Sequence, residues 1–284
     1  MPDFPVVDAH LHIWDPRQIR YPWIEGNAVL DRPFLPDDYR QHFAGVDVEA
    51  MVFVQCDCEF AASMREVEWV AEQVVDDPRI RGIVAWAGLE RGAAVEPDLA
   101  ALHDRPLVKG VRRILQSEAD VEFCLQPDFV EGARLLARFG FSFDICVNFR
   151  QMASVLRFVE QVPDVPMVLD HIGKPSIRDG RSQPWADQMR ELARFPNVAC
   201  KISGVATEAA SGWVEDDLRS YIDTAFDAFG FERTMFGSDW PVMLMAVEPR
   251  RWVALLDGML AGVSDDDKRR FWRTNASDFY RLGL

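Results

Sequence analysis

Short apolar runs rich in β-branched residues recur along the chain, and each is followed by a longer stretch in which apolar positions return every three or four residues. The runs lie at Val6–His12, Met51–Val54, Ile83–Ala87, Val108–Val111, Ser142–Val147, Met167–His171, Val198–Ile202 and Met235–Ser238, giving eight predicted strands. Both faces of most runs are apolar, the pattern of parallel strands covered by helices rather than of a half-exposed antiparallel sheet. The clearest helix pattern is Arg65–Asp76, where Val67, Val70, Ala71, Val74 and Val75 form one stripe that must pack on something. Similar stripes predict helices over Phe129–Phe139, Met152–Gln161, Trp185–Phe195, Leu218–Phe229 and Arg250–Leu260. Ser264, followed three residues later by Asp267, reads as the N-cap of a last helix reaching toward Tyr280.

Eight strand–helix units in about 250 residues is the arithmetic of a (β/α)8 barrel, although an open doubly wound sheet gives a similar alternation. No GxGxxG or GxxxxGK[ST] follows the first strand, which removes the commonest reason to prefer a nucleotide-binding sheet. No repeat, low-complexity tract or Gly/Ser linker interrupts the series. The fold expected is therefore an α/β protein, a single TIM barrel occupying residues 1–284 as one domain.

Composition narrows the function. At 49% hydrophobic the chain is not disordered, and its longest apolar stretches, such as Val165–Leu169 and Trp252–Leu256, are far too short for a membrane span. Lys and Arg total 31 against 46 Asp and Glu, a net charge of −15 that is repelled by phosphate backbones and anionic lipid, so neither nucleic acid nor membrane is an expected partner. Cys56, Cys58, Cys124, Cys146 and Cys200 form no CxxC pair, and Met1-Pro2-Asp3-Phe4-Pro5 leads into a strand without a basic flank. Reduced thiols and a cytoplasmic location are expected.

The first strand ends Asp8-Ala9-His10-Leu11-His12, so two imidazoles project from one face of an extended chain. In a barrel that face opens at the C-terminal mouth, where active sites of the fold lie. A pair of hydrogen-bonded structural histidines is the alternative. A third of the chain's five histidines, His171, closes the sixth run, and Asp239 ends the eighth in Gly237-Ser238-Asp239-Trp240-Pro241. Asp239 is read as a site carboxylate, with a cap or a buried ion pair as the other possibility. His42 and His103 fall in polar or helical stretches and are expected at the surface.

These residues resemble the amidohydrolase superfamily from end to end. Tyr21-Pro22-Trp23-Ile24, Gly110-Val111-Arg112-Arg113-Ile114-Leu115-Gln116, Leu169-Asp170-His171-Ile172-Gly173-Lys174-Pro175, Cys200-Lys201-Ile202-Ser203-Gly204 and Phe236-Gly237-Ser238-Asp239-Trp240-Pro241 are together similar to its sugar-acid lactonase branch, which includes L-fuconolactonase, L-rhamnono-γ-lactonase and 2-pyrone-4,6-dicarboxylate lactonase. One departure concerns metal. Many amidohydrolases carry a His or a carboxylated Lys on the fifth strand, and here that strand reads Ser142-Phe143-Asp144-Ile145-Cys146-Val147. A mononuclear site would use His10, His12 and Asp239, with Asp144, Cys146 or His171 as a fourth ligand. The lactonase resemblance implies that no cofactor is strictly required and that one divalent metal, such as zinc, would be held weakly.

The resemblance implies a carboxylic ester hydrolase acting on a small sugar lactone. A lactone needs a positioned, deprotonated water and donors at the carbonyl oxygen. Asp239 is the expected general base, with His10, His12 and His171 orienting the water and donating to the carbonyl, and Arg112 offering its planar fork. Lys174, Trp23, Gln55, Gln116, Asp144 and Lys201 are expected to contact substrate; a salt bridge for Arg112 and a solvated loop position for Lys174 are the structural alternatives. Two rival functions are a metal-dependent amidase or decarboxylase of the same superfamily and a sugar-acid binding protein without catalysis. The sugar, the ring size and the oligomeric state are not encoded in any motif.

Overall fold

In the computed structural model, which describes residues 1–284, every one of the eight apolar runs overlaps a strand. These are β1 (Val6–Leu11), β2 (Val48–Val54), β3 (Ile80–Ala85), β4 (Val108–Val111), β5 (Ser142–Ile145), β6 (Met167–Leu169), β7 (Val198–Ile202) and β8 (Thr234–Phe236). Neighbours in sequence pair in parallel from β1 through β8. The ring closes where Leu11 bridges Trp240 in parallel, with the His12 amide donating to the Trp240 carbonyl at 2.6 Å and the Asp239 amide to the His10 carbonyl at 2.7 Å. This closure excludes the open doubly wound sheet and gives a (β/α)8 barrel.

The helices are α1 (Pro36–His42), α2 (Ser63–Gln73), α3 (Glu96–His103), α4 (Pro127–Arg138), α5 (Met152–Gln161), α6 (Trp185–Leu192), α7 (Glu215–Phe229), α8 (Pro249–Met259), α9 (Asp265–Arg269) and α10 (Asn275–Phe279). None is long and apolar enough to cross a membrane. Six of the striped segments form helices as expected, and the Ser264 hydroxyl accepts the Asp267 amide at 3.2 Å as the cap of α9. The final helix is broken, however, by a π turn over Arg270–Thr274. Helices α1 and α3 carry too few apolar anchors for their period to show; α3 buries only Leu99 and Leu102.

Burial on two sides produces two apolar layers. Val7, Ala9, Val52, Val54, Val168 and Met235 belong to a core that also takes in Ala276, Tyr280 and Leu282 from the C-terminal segment. A larger layer, including Trp69, Phe129, Phe158 and Trp252, joins strands to helices. Five strands end before their runs do, and in two of them this matters for the site: β1 stops at Leu11 and β6 at Leu169, so His12 and His171 stand just beyond the ladder at its C-terminal end.

Candidate active site

The turn after β6 is the least ordinary piece of backbone. His171, Ile172, Gly173 and Lys174 have φ of 55°, 48°, 72° and 46°, a left-handed run that is costly for non-glycine residues and most of all for a β-branched one. An extended chain would send Asp170 and His171 to opposite faces. Here both reach His10: Asp170 Oδ1 lies 3.2 Å from His10 Nδ1, and the His171 and His10 ring centroids are 4.5 Å apart. Gly204 makes room for this turn, because a Cβ there would lie 2.6 Å from His171 Nδ1. That nitrogen is 2.9 Å from the Ser203 hydroxyl.

Asp239 also has a left-handed φ, 60°, and is held by the hydrogen bond its backbone amide donates to the His10 carbonyl. Its Oδ1 lies 3.3 Å from His12 Nε2, 3.6 Å from His10 Nε2 and 4.0 Å from His171 Nε2, and the two Nε2 atoms of His10 and His12 are 3.3 Å apart. The three histidines and the late aspartate therefore meet, as the sequence predicts. Burial pushes His10 and His171 well below the usual imidazole range and lowers His12 as well. Burial opposes ionisation of Asp239, yet the neighbouring His171, His12 and Lys174 outweigh it and hold the carboxyl below its ordinary value.

The outer ring nitrogens fix the tautomers. His12 Nδ1 donates to the Val54 carbonyl at 2.7 Å, and the carboxylate of Asp170 draws the His10 proton to Nδ1. Both Nε2 lone pairs then face the carboxylate of Asp239. Such an acceptor-rich triangle, with edges of 3.3 to 3.6 Å, suits a divalent cation, since ligand atoms about 2.0–2.2 Å from a tetrahedral zinc lie about 3.3–3.6 Å from one another. His10, His12 and Asp239 thus fit a metal. Of the three fourth ligands considered, Asp144 is tied to Lys201 and Cys146 Sγ lies 3.6 Å from Gln116 Oε1, whereas His171 faces Asp239.

A cavity of about 310 Å³ opens above these groups. Arg112, Lys174, Trp23 and Gln116 line it together with His12, His171 and Asp239. Arg112 also donates to the Gln55 carbonyl and lies 3.4 Å from both Asp170 Oδ2 and His10 Nε2, so it combines a cavity position with an internal ion pair. Three expected substrate contacts are placed elsewhere. Lys201 and Asp144 are fully buried on β7 and β5, 2.6 Å apart, with Tyr280 donating to Asp144 at 2.8 Å and Lys201 bracing Asp170 at 3.1 Å. Gln55 is buried too, and its Oε1 accepts the Asp57 amide at 2.6 Å. All three support the wall and do not line the cavity. His42, expected at the surface, accepts from Trp240 Nε1 at 2.8 Å, while His103 is exposed.

A family profile described as amidohydrolase matches residues 7–282. The chain belongs to the amidohydrolase family. An L-fucono-1,5-lactonase from Burkholderia multivorans is 34% identical, over 97% of this chain and 96% of that one. An L-rhamnono-γ-lactonase from Scheffersomyces stipitis is 24% identical, over 99% of this chain and all of that one. A crystal structure of an amidohydrolase from Burkholderia multivorans with bound zinc superposes with a TM-score of 0.88 at 32% identity, covering 98% of this chain and 100% of the other.

This amidohydrolase has site residues that motif reading did not single out. Asp170 orients His10 and was signalled only by standing next to His171. Asp57, Ser117, Thr207 and Glu208 reach the cavity from loops, where no periodicity marks them.

Proposed function

We propose that this amidohydrolase opens the lactone ring of a sugar acid by attack of water on the ester carbonyl. What supports the reading is the meeting of Asp239, His10, His12 and His171, with all but the buried His10 lining a cavity together with Arg112 and Lys174, in a chain similar over its whole length to a sugar-acid lactonase. Asp239, held ionised, takes the proton of the attacking water as its oxygen bonds to the carbonyl carbon. Arg112 and Lys174 are the donors for the negative charge that develops on the carbonyl oxygen, each well-placed donor lowering the barrier by about 3 kcal/mol. The bond from the carbonyl carbon to the ring oxygen then breaks, and the proton passes to that oxygen, leaving a hydroxy acid. Asp170 keeps His10 in one tautomer, and burial keeps the imidazoles neutral so that their lone pairs face the reacting centre.

A divalent metal such as zinc, held by His10, His12 and Asp239, would polarise the carbonyl and acidify water when bound. Five cysteines, all unpaired and buried, support a reducing compartment for this work, and a neutral sugar lactone as the small-molecule partner places it in carbohydrate breakdown. Each turnover releases acid, so a panel of aldonolactones read with a pH indicator tests the reading. Wild-type protein should acidify at least one of them, and Asp239→Asn should lower kcat at least ~100-fold with little change in Tm. A panel with no acid release, or a fully active Asp239→Asn, ends this assignment.

A further inference from the structure

The same cavity contains two carboxylates that the ring-opening chemistry does not use, Asp57 and Glu208. Asp57 follows β2 in a left-handed conformation with φ of 56°, fixed by the short bond from its amide to Gln55 Oε1. Its own carboxylate accepts no hydrogen bond and joins no ion pair, in contrast to the doubly braced Asp170 and to Asp144. Glu208 ends the short turn Ala206–Glu208 after β7, and its only ion pair is with Lys174 at 3.9 Å, too long for a direct hydrogen bond, with Arg178 and Asp239 acting on it from farther off. Both are half-buried, and burial pushes both carboxyls above their ordinary values.

An ionised carboxylate in a partly dry cavity needs donors, and here the protein leaves those acceptor positions to a ligand. Counted by sign, the lining has Asp57, Glu208 and Asp239 against Arg112 and Lys174. With Arg112 and Lys174 assigned to the carbonyl end, nothing cationic remains for a carboxylate or sulfonate elsewhere on the substrate. Hydroxyl groups, by contrast, are the donors that Asp57 and Glu208 lack, and Gln116, Ser117 and Thr207 lie in the same lining.

We propose that Asp57 and Glu208 form a hydroxyl-binding subsite that selects an uncharged, polyhydroxylated lactone over lactones that carry further anionic groups or no hydroxyls; this rests on the lactonase reading. Selection by missing donors is strong, because a site built to bond a hydroxyl leaves its polar groups unpaired when that hydroxyl is absent.

The test compares wild type, Asp57→Asn and Glu208→Gln on three probes: L-fucono-1,5-lactone, hydroxyl-free δ-valerolactone and 2-pyrone-4,6-dicarboxylate. Wild type should favour the polyhydroxylated lactone by at least ~100-fold in kcat/KM over either other probe. Each substitution should lower kcat/KM on that lactone at least ~10-fold, mainly through KM, with a loss on δ-valerolactone at least fivefold smaller, and should narrow the gap to the dicarboxylate. Equal losses on the sugar lactone and δ-valerolactone, or a wild type that opens the dicarboxylate as well as the sugar lactone, overturn the subsite while leaving the lactonase reading in place. A wild type that opens none of the three overturns the subsite, and one that opens no member of the aldonolactone panel either removes the lactonase reading with it.

Discussion

Glu66 illustrates how a single buried group leaves a mark on stability without touching the cavity. It lies on α2, 1% exposed, and its two oxygens accept the Cys56 amide at 3.2 and 3.4 Å. Burial raises its carboxyl to about 7 from 4.5, although the Cys56 amide pulls the other way. A carboxyl raised on folding stabilises most where it is protonated in both states, below about 4.5, and that contribution is lost as pH rises through about 7. Glu66→Gln removes the ionisation. The variant should therefore gain on wild type as pH rises from 5 to 8, by up to about 3 kcal/mol, visible in melts at pH 5, 6.5 and 8. A wild-type-to-variant difference in Tm that stays constant over that range would show that Glu66 keeps its charge on folding. Lys201 and Asp144 teach the complementary lesson: charged residues near strand ends read in sequence as substrate contacts, but inside the barrel they pair with each other across 57 positions of chain, and Tyr280 reaches Asp144 across 136.

At the scale of elements, close approach of backbone explains a glycine that propensity alone would disfavour. Gly132 sits inside α4, where Ala would be better by about 1 kcal/mol as a helix former. A Cβ there, however, would lie 2.2 Å from the Leu89 carbonyl oxygen, a backbone atom that cannot swing aside. The clash outweighs propensity, since overpacking costs about 1–3 kcal/mol. Gly132→Ala should lower Tm by several degrees with lactone turnover retained; an unchanged or higher Tm would mean that α4 can retreat from the Leu89–Val95 turn. Strands were readable because burial on both faces writes continuous apolar runs, and long helices because their stripes repeat. The left-handed turn after β6 was not readable: Asp170-His171-Ile172 has no turn signature, and Ile172 is among the residues least suited to φ of 48°. Only the packing of His10, His171 and Gly204 around it makes that conformation necessary.

Over the whole molecule, barrel closure is what turns scattered residues into one site. His10, His12, His171 and Asp239 could be named from sequence because each stands at a strand end, and all strand ends of a parallel barrel share one mouth. Asp57 and Glu208 could not, because a loop's length does not say where its side chains point. The same convergence carries the metal prediction. A cation bound by the folded protein but not by the unfolded chain stabilises by about 2.7 kcal/mol at a hundred times its Kd, which for a chain of this size is a Tm rise of roughly 4–5 °C. A net charge of −15 attracts cations without any site, so the size of a zinc effect is not enough by itself. His12→Asn separates the two, because it removes one donor of the triangle formed with His10 and Asp239 and leaves the charge at neutral pH unchanged. Melts with chelator and with zinc should show the rise in wild type and lose most of it in His12→Asn. An equal rise in both proteins would assign the stabilisation to diffuse charge, and no rise in wild type would remove zinc from His10, His12 and Asp239.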